Sequence, residues 1–246
     1  MKKLILSLAA LALSAGMAAA QTDPSVVRLA TEGAYPPYNF INDKGEVDGF
    51  ERELGDELCK RAELNCTWTT NAWDSIIPNL VSGNYDVIIA GMSITPEREQ
   101  VIAFSDPYTQ PDPSAFLAKT GNTDFMTGTI AAQTGTIQAA YVTSNMPGAS
   151  LLEFATADET VAAVKNGEAD AVLADKAYLQ PIADADPDLA IEGGDQLIGG
   201  GVGLGMRQSD TELKAKFDAA IQSMKADGSL NAMIKKWLPD SAPFPS

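Results

Sequence analysis

From Val26 onward, short apolar runs alternate with stretches whose apolar positions recur every three or four residues, a pattern that predicts α/β architecture. VVRLAT reads as a strand, and TEGAYPPYNF as a loop rich in Gly, Pro and aromatics. In FERELGDELCKRA, Phe50, Leu54 and Leu58 fall four apart on one face of an amphipathic helix. CTWTT is the next strand, WDSIIPNLVSG a helix stopped at Gly83, and YDVIIAG a buried strand. GTIAAQTGTIQAAYV predicts a strand, a Gly-containing turn and a helix. FLAKTG, around Phe116, is expected to cross between two lobes, and the Gly-rich LIGGGVGLGMR to carry the chain back. The closing TELKAKFDAAIQSMKADGSLNAMIKKWL reads as two helices broken at Asp227-Gly228.

An internal echo organises these elements. GNYDVIIAG (83–91) and GEADAVLAD (167–175) place Gly, Asp, branched aliphatics and Ala at matching positions, each after a helical segment. Both read as helix, Gly stop, tight turn and buried strand, which predicts two similar α/β lobes. In open α/β sheets ligands bind beyond the carboxyl ends of strands. The echo sets Gly91–Ser93 at one such end and Asp175 at the equivalent end of the other lobe.

Composition narrows the chemistry. The first twenty residues, MKKLILSLAALALSAGMAAA, have the basic start, apolar run and small-residue end of a secretory signal cleaved after Ala20. That apolar run is too short for a membrane span, and no cysteine follows it to take a lipid anchor. The expected mature chain is therefore soluble and exported, most simply to a periplasm. Losing Lys2 and Lys3 with the signal moves the net charge from −16 to −18, which argues against nucleic acid or an anionic membrane as partner. Histidine is absent, so His-dependent nucleophilic catalysis and His-based metal sites are excluded. Cys59 and Cys66, close in sequence and in an oxidising compartment, read as a short disulfide loop between a helix end and the following strand.

One arginine stands out. In GMSITPEREQ, Thr95 and Pro96 read as an N-cap and first helical residue, which puts Arg98 in a turn where the helix dipole favours an acid. Its planar fork suits a carboxylate, with Ser93 and backbone at Ala90 and Gly91 alongside. The TGTIQ turn offers N–H groups and the Thr136 hydroxyl, and Asp175 could accept from an ammonium. Together they describe a clamp for the head of a free α-amino acid. Local alternatives exist: Arg98 could pair with Glu97, Glu99 or Asp106, and Asp175 could cap the helix beginning near Lys176. Glu32, Tyr35 and Trp73 could enclose an elongated cationic side chain. Tyr38 is expected simply to pack.

With ATEGAYPPYNF, DGFERELGDELCKR, AWDSIIPNLVSGNYDVIIAGMSITPEREQVIAFSDPY, GTIQ and GEADAVLAD, the mature chain resembles the periplasmic polar amino-acid-binding proteins of ABC importers, in particular the lysine/arginine/ornithine-, histidine- and opine-binding group. The resemblance implies an α/β, two-lobed periplasmic binding protein fold of type II, with a ligand cleft between lobes joined by a two-stranded hinge. Lobe 1 would comprise 21–109 plus 204–246 and lobe 2 110–203. It further implies a carboxylate clamp at Arg98, helped by Ser93, Ala90 and Gly91 and by the Thr136–Ile137 turn. Asp175 would accept the ammonium, Tyr35 and Trp73 would bracket the side chain, and Glu32 would meet its distal end. Some relatives carry serine where this chain has Gly91, and Gln133 occupies a position that varies with ligand, so its role stays unassigned. A monomer without cofactor is expected, capturing an amino acid by hinge closure and passing it to an inner-membrane permease. Glutamine or an opine are alternative ligands. A sensor role and an enzyme similar to the cyclohexadienyl dehydratases are alternative functions.

Overall fold

The computed structural model describes residues 26–245; the expected signal segment, 1–20, lies outside them. The first part of the chain runs β1 (Val26–Thr31), β2 (Ala34–Tyr35), β3 (Asn39–Ile41), β4 (Val47–Asp48), α1 (Phe50–Arg61), β5 (Asn65–Thr70), α2 (Trp73–Val81), β6 (Val87–Ile88), α3 (Pro96–Glu99) and β7 (Ala103–Phe104). The middle part follows as β8 (Ser114–Lys119), β9 (Thr129–Gln133), α4 (Ile137–Asn145), β10 (Ser150–Phe154), α5 (Ala157–Asn166), β11 (Ala171–Asp175), α6 (Lys176–Ala185) and β12 (Leu189–Gln196). The chain then returns through β13 (Gly205–Met206) and closes with α7 (Thr211–Ala226) and α8 (Ser229–Trp237).

Two five-stranded sheets result, in the orders β5-β1-β6-β13-β7 and β10-β9-β11-β8-β12. Each has three parallel strands followed by an antiparallel one, so β6 and β11 hold the same place in their sheets. The sequence echo thus has a topological counterpart. Both units turn through a left-handed glycine, Gly83 at φ 81° and Gly167 at φ 78°, where a side chain would be strained. In each sheet the chain goes from the middle strand of the parallel trio to one neighbour and later to the other. That reversal opens a crevice at the strands' carboxyl ends.

Each sheet buries its own core. Phe50, Leu54 and Leu58 are fully buried against the first sheet and α7, as their spacing predicts. In the second, Leu117, Ala131, Val172 and Leu179 pack together. Tyr38 is buried in the first core, as expected, whereas Tyr35 packs against both. The Cys59–Cys66 disulfide forms, with Cα atoms 6.2 Å apart, and ties the end of α1 to β5.

One crossing differs from expectation. The apolar run around Phe116 is β8, which lies between β11 and β12 inside the second sheet. Its residues Ser114–Ala118 are buried, and such a run suits a central strand covered on both faces. The outbound crossing is the short segment before it, 109–113. The return crossing lies beside that segment: Gln196 pairs with Ser114 at one end, and the Tyr108 amide donates to Val202 O over 2.8 Å at the other. Gly201 and Val202 already bond to Ile94 and Ser93, in the segment that follows β6. The loop TEGAYPPYNF also contains β2 and the start of β3, two- and three-residue strands too short to register as a pattern.

Candidate functional site

The carboxyl ends of the parallel strands face one another across a cavity. Its lining comprises Glu32, Tyr35, Trp73, Ala90, Gly91, Ser93 and Arg98 from the first sheet's side, and Gln133, Thr136, Ile137, Gln138 and Asp175 from the second. All eleven residues singled out in the sequence are therefore brought together. Glu32 follows β1, Trp73 opens α2 after β5, Ala90 and Gly91 follow β6, Gln133 ends β9, Thr136 and Ile137 open α4, and Asp175 ends β11. Each sits where the reversal in strand order leaves space.

Arg98 is the third residue of α3, and its amide donates to the Thr95 hydroxyl over 3.3 Å, the cap that Thr-Pro implies. Its guanidinium turns inward. It donates to Ser93 O over 2.8 Å and across the cleft to Gly135 O over 3.3 Å, and lies 5.3 Å from the Trp73 ring centroid. Glu97 and Glu99 stay exposed, and Asp106 accepts from Gln222 instead. Burial away from a directly bonded carboxylate lowers the Arg98 pKa to about 10, with Asp175 and Glu97 opposing at longer range.

Asp175 occupies the N-cap position of α6, yet its side chain makes no capping bond. Its carboxylate accepts instead from the Tyr35 hydroxyl and from Gln138 Nε2, both over 2.9 Å. Burial raises its pKa to about 6, against those two hydrogen bonds. Glu32 is raised to about 7, chiefly by burial and further by Asp158 and Asp74, while a hydrogen bond from Gln133 opposes. That bond, Gln133 Nε2 to Glu32 Oε1 over 2.7 Å, crosses the cleft and gives the unassigned Gln133 a partner; the same nitrogen also donates to Ala155 O over 3.0 Å. Tyr35 stacks on Tyr178 at 4.5 Å between centroids, so one face of its ring is already covered.

Gln138 was missed among the site residues. It ends the TGTIQ turn, and its amide spans Ser114 Oγ at 3.0 Å and Asp175 Oδ1 at 2.9 Å. An amide in the first turn of a helix gives no sequence signal of which carboxylate it will meet. The acids and bases on the wall that carry charge near neutral pH are one guanidinium and two carboxyls, net −1 when all three are charged. Such a wall complements a molecule carrying one carboxylate and two cationic groups.

Comparison with known proteins agrees with this fold. The chain is 33% identical over 255 residues to the lysine/arginine/ornithine-binding periplasmic protein of Escherichia coli, covering 96% of this chain and 97% of that one. A crystal structure of a periplasmic His/Glu/Gln/Arg/opine family-binding protein from Silicibacter pomeroyi in complex with lysine superposes with a TM-score of 0.86 at 63% identity, covering 89% of this chain and 100% of that one. The ancestral amino acid-binding protein AncCDT-1, a precursor of cyclohexadienyl dehydratase, superposes at 0.77 with 28% identity over 87% of this chain and 95% of that one. The model of the bacterial extracellular solute-binding proteins, family 3, matches residues 27–240. The chain belongs to that family.

Proposed function

We propose that this protein is the periplasmic solute-binding component of an ABC importer for a free cationic amino acid, with arginine, lysine, ornithine or histidine as the ligand class. The observation that carries this reading is the state of Arg98: an inward-turned guanidinium with carbonyl and aromatic partners and, among the described residues, no acid bonded to it. A half-buried cation of this kind is stabilised when a carboxylate arrives to form charge-assisted bonds. Asp175 then receives the α-ammonium and Glu32 the distal cation. Tyr35 and Trp73 flank the side chain, while Ser93, Ala90, Gly91, Thr136 and Ile137 complete the head-group pocket. The moving bodies are the two sheets with their helices, joined by the paired crossings, and a ligand bonded to both shifts the open–closed equilibrium toward closure. The closed monomer is the form delivered to an inner-membrane permease.

A second reading has one observation in its favour. Glu32, with its pKa at about 7, has the protonation of a general acid, as a dehydratase on this scaffold would need. Against it, Arg98 and Asp175 hold both ends of an amino-acid head group, an arrangement suited to ground-state capture.

Calorimetric titration of protein stripped by unfolding and refolding, against arginine, lysine, ornithine, histidine, glutamine and octopine, tests the first reading. Tight binding of a cationic member supports it, and binding of glutamine or octopine alone overturns the cationic assignment. Silence across the panel, with turnover of prephenate or arogenate, moves the enzyme reading to the front.

A further inference from the structure

One buried carboxylate takes no part in the cavity. Glu51, the second residue of α1, is 0% exposed. One of its oxygens accepts from the Gly91 amide over 2.6 Å and from the Tyr108 hydroxyl; the other accepts from Asn39 Nδ2 over 2.7 Å. Asn39 Oδ1 in turn accepts from the Gly33 amide over 2.7 Å. The helix N-terminus favours the charge, while burial pushes the Glu51 pKa up against the three hydrogen bonds.

What these partners touch gives the carboxylate its meaning. Gly91 is cavity wall, held at φ 61°, and Gly33 at φ 76° stands between Glu32 and Tyr35. Tyr108 stands at the foot of the outbound crossing, paired with Val202 of the return crossing. Three donors converge on this side chain, and a carboxylate, which only accepts, is the group that satisfies all of them. A Gln amide would place an N–H against the Asn39 N–H, and turning Asn39 over would leave the Gly33 amide without its acceptor.

We propose that Glu51 is a positioning residue for ligand capture: it fixes the Gly33 and Gly91 loops in their ligand-facing form and joins both to the hinge through Tyr108. The proposal rests on the amino-acid-binding reading above. A residue serving the fold alone would affect melting temperature and leave affinity intact once the protein is folded.

The test uses wild-type protein and the variants Glu51→Gln, Glu51→Gln with Asn39→Asp, and Asn39→Ala. Each is titrated with arginine and lysine well below its melting temperature, and the Gly33 and Gly91 amides are followed by NMR. Glu51→Gln is expected to weaken binding about tenfold or more, the scale of a lost charge-assisted hydrogen bond, and to move the Gly91 amide proton upfield. Adding Asn39→Asp restores an acceptor for both the Gln amide and Gly33, and should recover most of the affinity. Glu51→Gln protein that melts earlier but binds within about twofold of wild type overturns the proposal. If Glu51→Gln does not fold, Asn39→Ala carries the same test with the same threshold. Wild-type binding with unchanged variants sinks this inference alone. Wild-type protein that binds neither amino acid sinks the reading beneath it as well.

Discussion

Arg98 and Asp175 stand on the walls of one cavity with opposite charges and form no bond to each other. Arg98 donates to the carbonyls of Ser93 and Gly135, while Asp175 accepts from Tyr35 and Gln138. Each is felt by the other only through space, an attraction that offsets part of the burial that lowers the Arg98 pKa and raises that of Asp175. On the proposed reading, a zwitterionic head group would supply both missing partners in one step.

Arg98→Lys keeps the charge and loses the fork. It should weaken arginine binding by about 100-fold, close to the effect of Arg98→Ala, because a point charge cannot replace two parallel bonds to a carboxylate. Isothermal titration at fixed ionic strength measures this. A lysine variant within a few-fold of wild type would mean that the carboxylate does not lie on the fork.

Glu32→Gln removes one of the two negative charges on the wall while nearly keeping its shape. Affinity for arginine and lysine should fall at least about tenfold, whereas any affinity for glutamine should hold or rise. Competition between arginine and glutamine on the variant reads the ratio directly. An unchanged ratio would place the side-chain cation elsewhere.

Ligand capture should release protons. A carboxyl whose folded pKa lies above its unfolded one contributes stability that is fully present below the unfolded value and lost as pH rises through the folded value. Glu32 at about 7 and Asp175 at about 6 therefore destabilise the ligand-free closed form progressively from about pH 4 to 7. The ligand's cationic groups favour the ionised carboxyls, so arginine affinity should rise between about pH 5 and 8. At pH ~6, heats of binding should depend on the buffer's ionisation enthalpy in the sense of proton release. Buffer-independent heats at that pH would show that these carboxyls do not change state.

The Cys59–Cys66 bridge should serve stability and not recognition. Neither cysteine lines the cavity, and Cys59 packs in the first core. Replacing both with Ala should lower stability by about 2–3 kcal/mol on the chain-entropy model, read from denaturant unfolding, and leave arginine affinity unchanged. A loss of affinity at full folding would tie the bridge to the site.

Much of the site was legible because its residues lie at the ends of strongly patterned strands. The echo of GNYDVIIAG and GEADAVLAD located two of those ends, and Thr95-Pro96 located Arg98. Whether Arg98 would pair locally, and whether Asp175 would cap α6, depended on side-chain direction, which a spacing does not encode. Glu51 and Gln138 were invisible for a related reason. Glu51 reads as a polar position on an amphipathic helix, and its burial comes from Gly91 and Tyr108, 40 and 57 residues away. The apolar segment around Phe116 suits a crossing or a sheet interior equally well; only its pairing with β11 and β12 decides.

The most direct test removes the ligand's charges one at a time on unaltered protein. Arginine, agmatine without the carboxylate, 5-guanidinopentanoate without the α-ammonium, and citrulline without the side-chain charge are titrated by calorimetry, then repeated on Arg98→Ala, Asp175→Ala and Glu32→Gln. The account predicts that each deletion weakens wild-type binding about 100-fold or more, and that each variant is indifferent to the loss of the charge its own residue would meet. Agmatine binding wild type as tightly as arginine would contradict the claim that Arg98 waits for a carboxylate.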